Sequence, residues 1–343
     1  MELIRGIHNL RPQHQGCVAT IGNFDGVHLG HQAILQQVRE QAKCLHLPAT
    51  VMVFEPQPRE FFGGDQAPAR LHRFREKLEA LAASGIERVV CLQFNKSLRQ
   101  LTAQAFVEQV LHHGLGVRHL VVGDDFRFGC DRAGDFHLLQ QLGEQLGFAV
   151  EHTHTFLMDD ERVSSTRIRT TLTSGNLAGA ARLLGRPYRI TSRVVHGRKL
   201  GRTLGVPTAN LLLGTRKPAL NGVFTVLTRL ADGRLWPGVA NIGLRPTVDG
   251  ILPALEVHLH GFDGDLYSQP LEVTFLAKLR NEMKFNGLDE LKQQIEQDIR
   301  TSIQFHQQSQ PAWSAGLAWP DAQQPPLLAT APFTFGHASP LTD

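Results

Sequence analysis

Residues 20–31 read Thr20-Ile21-Gly22-Asn23-Phe24-Asp25-Gly26-Val27-His28-Leu29-Gly30-His31, an apolar run that stops at a glycine, turns, and enters an amphipathic stretch. A strand feeding a helix in this way points unpaired backbone N–H groups at the turn. With the helix dipole, those donors attract phosphate. Gly22, Gly26 and Gly30 let the backbone approach a ligand where a Cβ would collide. His28 and His31, three apart, fall on one face of the first helical turn, where both imidazoles can meet the same phosphate oxygens. Such a set suits nucleotidyl transfer, in which fixed donors stabilise charge on the α-phosphate and the departing pyrophosphate. The histidines could instead be half of a metal site, or each be held by ordinary hydrogen bonds; no further ligand cluster of suitable spacing accompanies them. Neither GxGxxG nor GxxxxGK[ST] is present, so dinucleotide and P-loop binding find no support.

A second set lies at His196-Gly197-Arg198-Lys199-Leu200-Gly201-Arg202-Thr203-Leu204-Gly205-Val206-Pro207-Thr208-Ala209-Asn210. Gly197, Gly201 and Gly205 recur every four residues with Arg198, Lys199 and Arg202 between them. A loop of this kind can fold over a triphosphate with backbone donors and mobile cations. Thr208 and Asn210 alternate on one side of an extended segment, so both oxygens can meet one hard cation such as Mg²⁺. Further on, Leu255, Val257 and Leu259 face one side of a strand, and Glu256, His258 and His260 the other. Glu256 on that polar face can orient a substrate hydroxyl and take its proton, or it can simply face solvent. If both sets are sites, one chain carries out two ATP-dependent steps.

The elements that would position these residues change in kind along the chain. Strand patterns at 17–22, 49–54, 89–94, 119–123 and 149–154 alternate with helical patterns at 32–45, 73–84, 103–112 and 138–146. Ile34, Leu35 and Val38 mark one face of the first helix, and Gly85 ends the second. Steady alternation implies right-handed crossovers and a doubly wound parallel sheet, an α/β fold. Near Gly185-Arg186-Pro187 the texture shifts to short β-like runs at 188–195, 222–230, 255–260 and 271–276. These suggest a small antiparallel barrel or sandwich. A helix over 288–305, with Leu291, Ile295, Ile299 and Ile303 on one side, closes that unit.

At 343 residues the chain has room for about two domains. An apolar content of 42% and a charged content of 20% describe a globular protein with two cores. Its arginines and lysines gather near the proposed phosphate loops, which points to small anionic substrates rather than nucleic acid. The four cysteines, Cys17, Cys44, Cys91 and Cys130, form no CxxC pair, which fits reduced thiols in the cytoplasm. No apolar run approaches the ~20 residues that span a bilayer, so no membrane association is expected. From 309 to 343 six of the 18 prolines gather and Asp321 and Asp343 are the only charged side chains, a composition expected to stay mostly disordered. The expected organisation is therefore an N-terminal domain at 1–184, a barrel at 185–308 and a tail at 309–343.

Residues 20–31 resemble the extended HxGH signature of the nucleotidyltransferase superfamily. The phrase 22–31 resembles in particular the FMN adenylyltransferase module of bacterial bifunctional riboflavin kinase/FAD synthetases. Two more of that family's motifs follow in order: Gly123-Asp124-Asp125-Phe126-Arg127-Phe128-Gly129, and Ser164-Ser165-Thr166-Arg167-Ile168-Arg169. The resemblance implies ATP contacts at Gly22, Asn23, Phe24, Asp25, Gly30, Asp125, Ser164, Ser165 and Thr166. In the last motif Ser165 or Thr166 is expected to cap the helix, and Arg169 to return toward the leaving pyrophosphate beside His28 and His31. Some family members carry Asn at the position of Asp125, so a carboxylate there calls for a cation or a ribose contact.

The second set resembles the riboflavin kinase family. Pro207-Thr208-Ala209-Asn210, Gly222-Val223-Phe224, the run 238–247, Leu255-Glu256-Val257-His258 and the run 279–285 appear in family order. By that resemblance Thr208 and Asn210 bind Mg²⁺-ATP and Glu256 is the catalytic base. Gly197, Gly201, Arg202, Gly205, Asn241, Arg245 and Arg280 shape the flavin and nucleotide pockets. The two resemblances cover about residues 1–308 and imply conversion of riboflavin to FMN and then to FAD, with Mg²⁺ and ATP and without an obligatory protein partner. Adenylylation of a different phosphate monoester, or a flavin-binding barrel without turnover, are the alternatives.

Overall fold

The computed structural model describes residues 1–314 except 124, 154, 198–200, 202–203, 215–216 and 248–249; for 245–247, 250–251 and 309–314 only the backbone is described. The expected tail is thus described only to 314, and 315–343 lie outside the described residues. In the first half, strands β1 (Glu2–Arg5), β2 (Cys17–Ile21), β3 (Ala49–Glu55), β4 (Arg88–Gln93), β5 (Val117–Gly123) and β6 (Ala149–Thr153) form one sheet. Their order is β1-β4-β3-β2-β5-β6, and every neighbouring pair is parallel. Between the strands run α1 (Leu29–Leu45), α2 (Pro58–Gly63), α3 (Phe74–Ala83), α4 (Lys96–Gln100), α5 (Ala103–Phe106) with a π-helical continuation Val107–His112, and α6 (Phe136–Leu146).

A parallel sheet covered on both faces buries its strands whichever way a side chain points. In β2, Cys17, Ala19 and Ile21 join a core with Val107, Val110 and Leu111, whereas Val18 joins one with Leu35, Val38 and Leu81. The strand order reverses at β2, with β3, β4 and β1 on one flank and β5 and β6 on the other. In open α/β sheets ligands settle in the crevice at such a reversal, beyond the carboxyl ends of the strands. The glycine turn after β2 occupies that crevice.

A hairpin of β7 (Leu157–Met158) and β8 (Glu161–Arg162) leads to α7 (Ser165–Thr173) and α8 (Leu177–Leu184), whose end is capped by Gly185 at φ 74°. The chain then forms a closed barrel. Its strands are β9 (Arg189–Val195), β10 (Ala209–Leu212), β11 (Gly222–Arg229), β12 (Leu235–Thr247), β13 (Gly250–Leu259) and β14 (Pro270–Arg280), in the order β10-β13-β12-β11-β14-β9. Antiparallel ladders close the ring, the last joining β9 to β10. Ile168 and Leu172 of α7 and Leu184 of α8 share one apolar cluster with Ile190, Phe224 and Phe275 of the barrel. The two halves therefore share part of their core.

Several elements differ from the sequence expectation, three of them for a plain reason. β12 crosses a stretch with Pro237, Gly238, Gly243 and Pro246 that hides its strand pattern. Gly238 is required there because a Cβ would stand 2.5 Å from the His258 carbonyl oxygen. β1 is too short to show a period. The closing helix α9 (Leu288–Ser314) extends past the expected boundary at 308, and Leu291, Ile295 and Ile299 of the stripe expected to pack are only half-buried. Its buried residues include Asp298, Ser302 and His306, whereas Ile303 is exposed. The barrel wall beneath is polar. Asp298 pairs with Arg280 at 2.7 Å, Ser302 bonds Thr225 at 2.8 Å and His260 at 2.9 Å, and His306 meets Thr225 at 3.0 Å. Satisfied polar groups, not aliphatic burial, decide which face packs.

Candidate active sites

The turn after β2 is held in a costly shape. Phe24 at φ 46° and Val27 at φ 40° sit in the left-handed region beside Gly26 at φ 89°, and both side chains are buried. A β-branched residue there is a strained outlier, and such strain, on the order of 1–3 kcal/mol per residue, persists only where packing imposes it. His28 follows as the N-cap of α1, its Nδ1 accepting the His31 N–H at 3.3 Å. An accepting Nδ1 leaves the ring proton on Nε2, so His28 is a donor on its other edge. The two imidazoles stack at 3.7 Å between centroids, and Phe24 lies 4.9 Å from His31.

Burial, reinforced by Arg186, Arg162 and Arg169, pushes the His28 pKa down to about 3. Burial and the neighbouring His28, Lys77 and His72 hold His31 well below its usual range as well. Both rings are therefore neutral at ordinary pH. They can offer N–H dipoles to phosphate but not cationic charge. Among the described residues, the buried His31 Nδ1 and Asn23 Oδ1 have no hydrogen-bond partner. Gly30 is needed by packing, since a Cβ would press against the Val163 carbonyl at 3.2 Å and the His28 ring at 3.3 Å.

Two expected roles change. Asp25 is 2% exposed and does not face the crevice. Its carboxylate accepts the Leu71 N–H at 3.1 Å and the His72 N–H at 3.1 Å, and pairs with Arg169. Arg169, expected to reach toward pyrophosphate, spends its Nε on the Ala69 carbonyl and its Nη2 on Asp25. A buried carboxylate needs a cation more than a solvated phosphate does, so Asp25 takes this arginine inward. The cap of α7 is Ser164, which accepts the Arg167 N–H at 3.2 Å. Ser165 donates to the Asp25 carbonyl at 2.9 Å, and Thr166 is exposed.

Because Thr20 pairs with Val121, Gly123 and Asp125 lie beside the first turn across the reversal. Asp125 is paired with Arg162 at 2.9 Å, which lowers its pKa and supplies the cation that its position required. No motif or spacing in the sequence pointed to Arg162. The same holds for Arg186, which donates to the Val27 carbonyl at 3.1 Å and to the Gly26 carbonyl, and contacts His72 Nε2 at 2.9 Å. Phe54, Phe61, Phe62 and Phe94 form an edge-to-face cluster at the ends of β3 and β4. Phe62 is 61% exposed with Arg99 over its ring, an aromatic surface that no spacing pattern announced.

On the barrel, cross-strand register gathers the second set. Glu256 stands opposite Asn210 on one flank and opposite Asn241 on the other, while Leu255, Val257 and Leu259 fill the interior. A Cβ on Gly197 would come within 2.5 Å of the Asn210 side chain, and one on Gly201 would collide with the Val206 carbonyl and sit 3.3 Å from Thr208 Oγ1. The loop therefore lies directly on the two oxygen-bearing residues. Gly205, at φ 76° in open space, serves the turn itself. His258, on the polar face of the same strand, bonds the Pro207 carbonyl at 2.9 Å through Nδ1 and ties the loop to the strand of Glu256. Arg280 is held by Asp298 and lies 5.9 Å from the Phe285 ring. Arg202 and the side chain of Arg245 lie outside the described residues.

Models of two protein families match the chain: FAD synthetase over residues 10–167 and riboflavin kinase over residues 184–306. A bifunctional riboflavin kinase/FMN adenylyltransferase of Pseudomonas fluorescens is 56% identical over 300 residues, covering 87% of this chain and 96% of that protein. One of the same description from Escherichia coli K12 is 50% identical over 313 residues, covering 91% and 100% respectively. Among solved structures, one described as a macrolide-efflux protein from Streptococcus pneumoniae superposes with a TM-score of 0.74 at 29% identity, over 87% of this chain and 97% of that one. No helix among the described residues is long and apolar enough to cross a membrane.

Proposed function

The chain belongs to the family of bifunctional riboflavin kinase/FMN adenylyltransferases, and we propose how its two sites divide the work. It phosphorylates riboflavin to FMN and adenylylates FMN to FAD. The barrel carries the first reaction. Glu256 takes the proton of the ribityl 5′-hydroxyl as that oxygen attacks the γ-phosphorus of ATP, and the bond to the β-bridging oxygen breaks to leave ADP. Thr208 and Asn210, with Glu256 beside them, are hard oxygen donors that fit Mg²⁺, and the glycines above them leave room that a Cβ would fill. When bound, the ion would neutralise charge on the ATP phosphates. Asn241, on the other flank of Glu256, orients the hydroxyl.

The turn after β2 carries the second reaction. A phosphate oxygen of FMN attacks the α-phosphorus of ATP, and pyrophosphate leaves with the electron pair of the broken P–O bond. FMN phosphate is already ionised, so no general base is required. His28 Nε2 and the backbone N–H groups of 23–26 and 28 donate to the oxygens on which charge grows, those of Gly22 and Val27 being taken by the Met52 and Phe24 carbonyls. His31 stacks against His28 and fixes its plane. Gly123 and Asp125 border the crevice from β5, with Asp125 kept anionic by Arg162. The aromatic surface around Phe62 offers the planar flavin ring a face to lie on.

The observation that carries this division is the barrel register, Asn210–Glu256–Asn241, on a different element set from the phosphate turn. The experiment is Glu256→Gln in the full chain, given either riboflavin or FMN with ATP and Mg²⁺, and its products separated by chromatography. Riboflavin phosphorylation should fall by on the order of 10² or more, while FAD formation from FMN stays within about twofold of the parent chain. A variant that still phosphorylates riboflavin at the parental rate, or that loses both reactions while folded, overturns the assignment.

A further inference from the structure

We propose that the barrel is a working part of the adenylyl-transfer site, because residues 69–73 form a strap that the barrel holds in place. Arg73 and Glu76 are then positioning residues that act on that reaction through the strap. This inference rests on the reading above that FAD is made at the turn after β2.

The strap has two sides. On the inner side it carries the phosphate turn: the Leu71 and His72 N–H groups bond the Asp25 carboxylate, and the Ala69 carbonyl accepts from Arg169. His72 also meets Arg186, whose other bonds hold the carbonyls of Gly26 and Val27. On the outer side it is fixed to the barrel. Arg70 makes a single parallel bridge to Pro218. Arg73 Nη1 donates to the Thr191 carbonyl at 3.1 Å, to Ser192 Oγ at 2.9 Å and to the Leu212 carbonyl at 3.3 Å. Glu76 spans the junction, accepting the Arg73 N–H at 2.7 Å within its own helix and the Thr191 N–H of β9 at 2.6 Å.

The dependence runs in one direction. Leu212 and Thr191 belong to strands whose ladders close the barrel, so Asn210 and Glu256 keep their places without Arg73. Among the described residues the strap has no ladder beyond the one bridge, and it meets the strained turn at Phe24 and Val27 through Asp25. Freed from the barrel, it keeps the Arg70 pairs with Glu55 and Glu60 but loses its hold at Arg73, next to the two amides on Asp25, so the turn loses part of the support of its left-handed residues. A misplacement of donors by about 1 Å can cost up to ~10² in rate.

The test uses the full chain as Arg73→Ala, Arg73→Lys and Glu76→Gln, because truncation at the barrel would expose the shared apolar cluster. FAD formation from FMN and phosphorylation of riboflavin are measured separately, with kcat and KM for ATP in each, together with the melting midpoint. The expected result is about a tenfold fall in kcat/KM for FAD formation in Arg73→Ala and in Glu76→Gln, with riboflavin phosphorylation within twofold. Arg73→Lys, which keeps a donor, should recover part of the loss. If Arg73→Ala melts below the assay temperature, Glu76→Gln and Arg73→Lys decide the matter. FAD formation within twofold in the folded variants, or equal loss of both activities, overturns the strap. A parent chain that makes FMN but no FAD overturns instead the reading on which the strap rests.

Discussion

His28 has two duties under the proposed assignment, and one substitution separates them. It caps α1 through Nδ1, and on that proposal its Nε2–H donates to phosphate. Asparagine is among the best N-caps, so His28→Asn keeps an oxygen for the His31 N–H while removing the outer donor. The cap bond is long at 3.3 Å, so even its complete loss should cost about 0.5–1 kcal/mol. Losing the ring stacked on His31 adds about 0.5–1.5 kcal/mol, some of it recovered by the amide. One donor aimed at developing phosphate charge contributes about 2.7–4 kcal/mol to the transition state, a factor of 10²–10³. His28→Asn should therefore lower kcat for FAD formation by 10²–10³ and shift the melting midpoint only slightly. His28→Ala should lower kcat equally but melt earlier. The assay is conversion of FMN to FAD at saturating ATP, with riboflavin phosphorylation by the same sample as the folding control. If His28→Asn retains FAD formation within about tenfold of the parent, the histidine is a cap and its catalytic role is wrong.

Gly197→Ala places a methyl within 2.5 Å of the Asn210 amide, so riboflavin phosphorylation should fall about tenfold or more while FAD formation from FMN is untouched; a neutral effect on the kinase would show that the loop does not rest on Asn210. The depressed histidine makes stability depend on pH with a definite sign. A His28 pKa of about 3, against 6.5 unfolded, means the unfolded chain binds the extra proton, so stability is complete above pH 6.5 and is lost progressively down to about pH 3. Between pH 7 and pH 5 the parent should lose about 2 kcal/mol on this account, a loss that His28→Asn lacks. Denaturant unfolding of both chains at the two pH values measures it, and equal losses would place the histidine in water. Over pH 6.5–8 the FAD-forming kcat should show no histidine titration.

The glycine turn after β2 and the alternating strand of Glu256 were legible because each is local: period, glycine spacing and residue type within about a dozen positions decide them. The same local logic failed where partners come from elsewhere in the chain. In the SSTxIR motif, Ser164 rather than Ser165 caps α7, an ambiguity of one residue that only the backbone turn resolves. The apolar stripe of α9 looked like a packing face, yet it meets a wall where Thr225, His260 and Arg280 need hydrogen bonds, so Asp298, Ser302 and His306 turn inward. β12 was hidden by prolines and glycines whose reason, close approach of β13 at Gly238, is invisible before the strands pair.

By itself the sequence determined the alternation of strand and helix, the change to a β-rich unit near Gly185, and the placing of the His28–His31 turn and of Glu256 in separate halves. These follow from side-chain periodicity and backbone freedom, which are properties of neighbouring residues. The tertiary structure alone decided that Asp25 takes Arg169 inward, that His28 and His31 are neutral, and that the barrel grips the segment supporting the phosphate turn. Burial sets the charge state of an imidazole, and the partner of a carboxylate is whichever cation the fold brings to it. Asp25 and Arg169 stand 144 residues apart in the chain, a separation at which no sequence pattern fixes who meets whom.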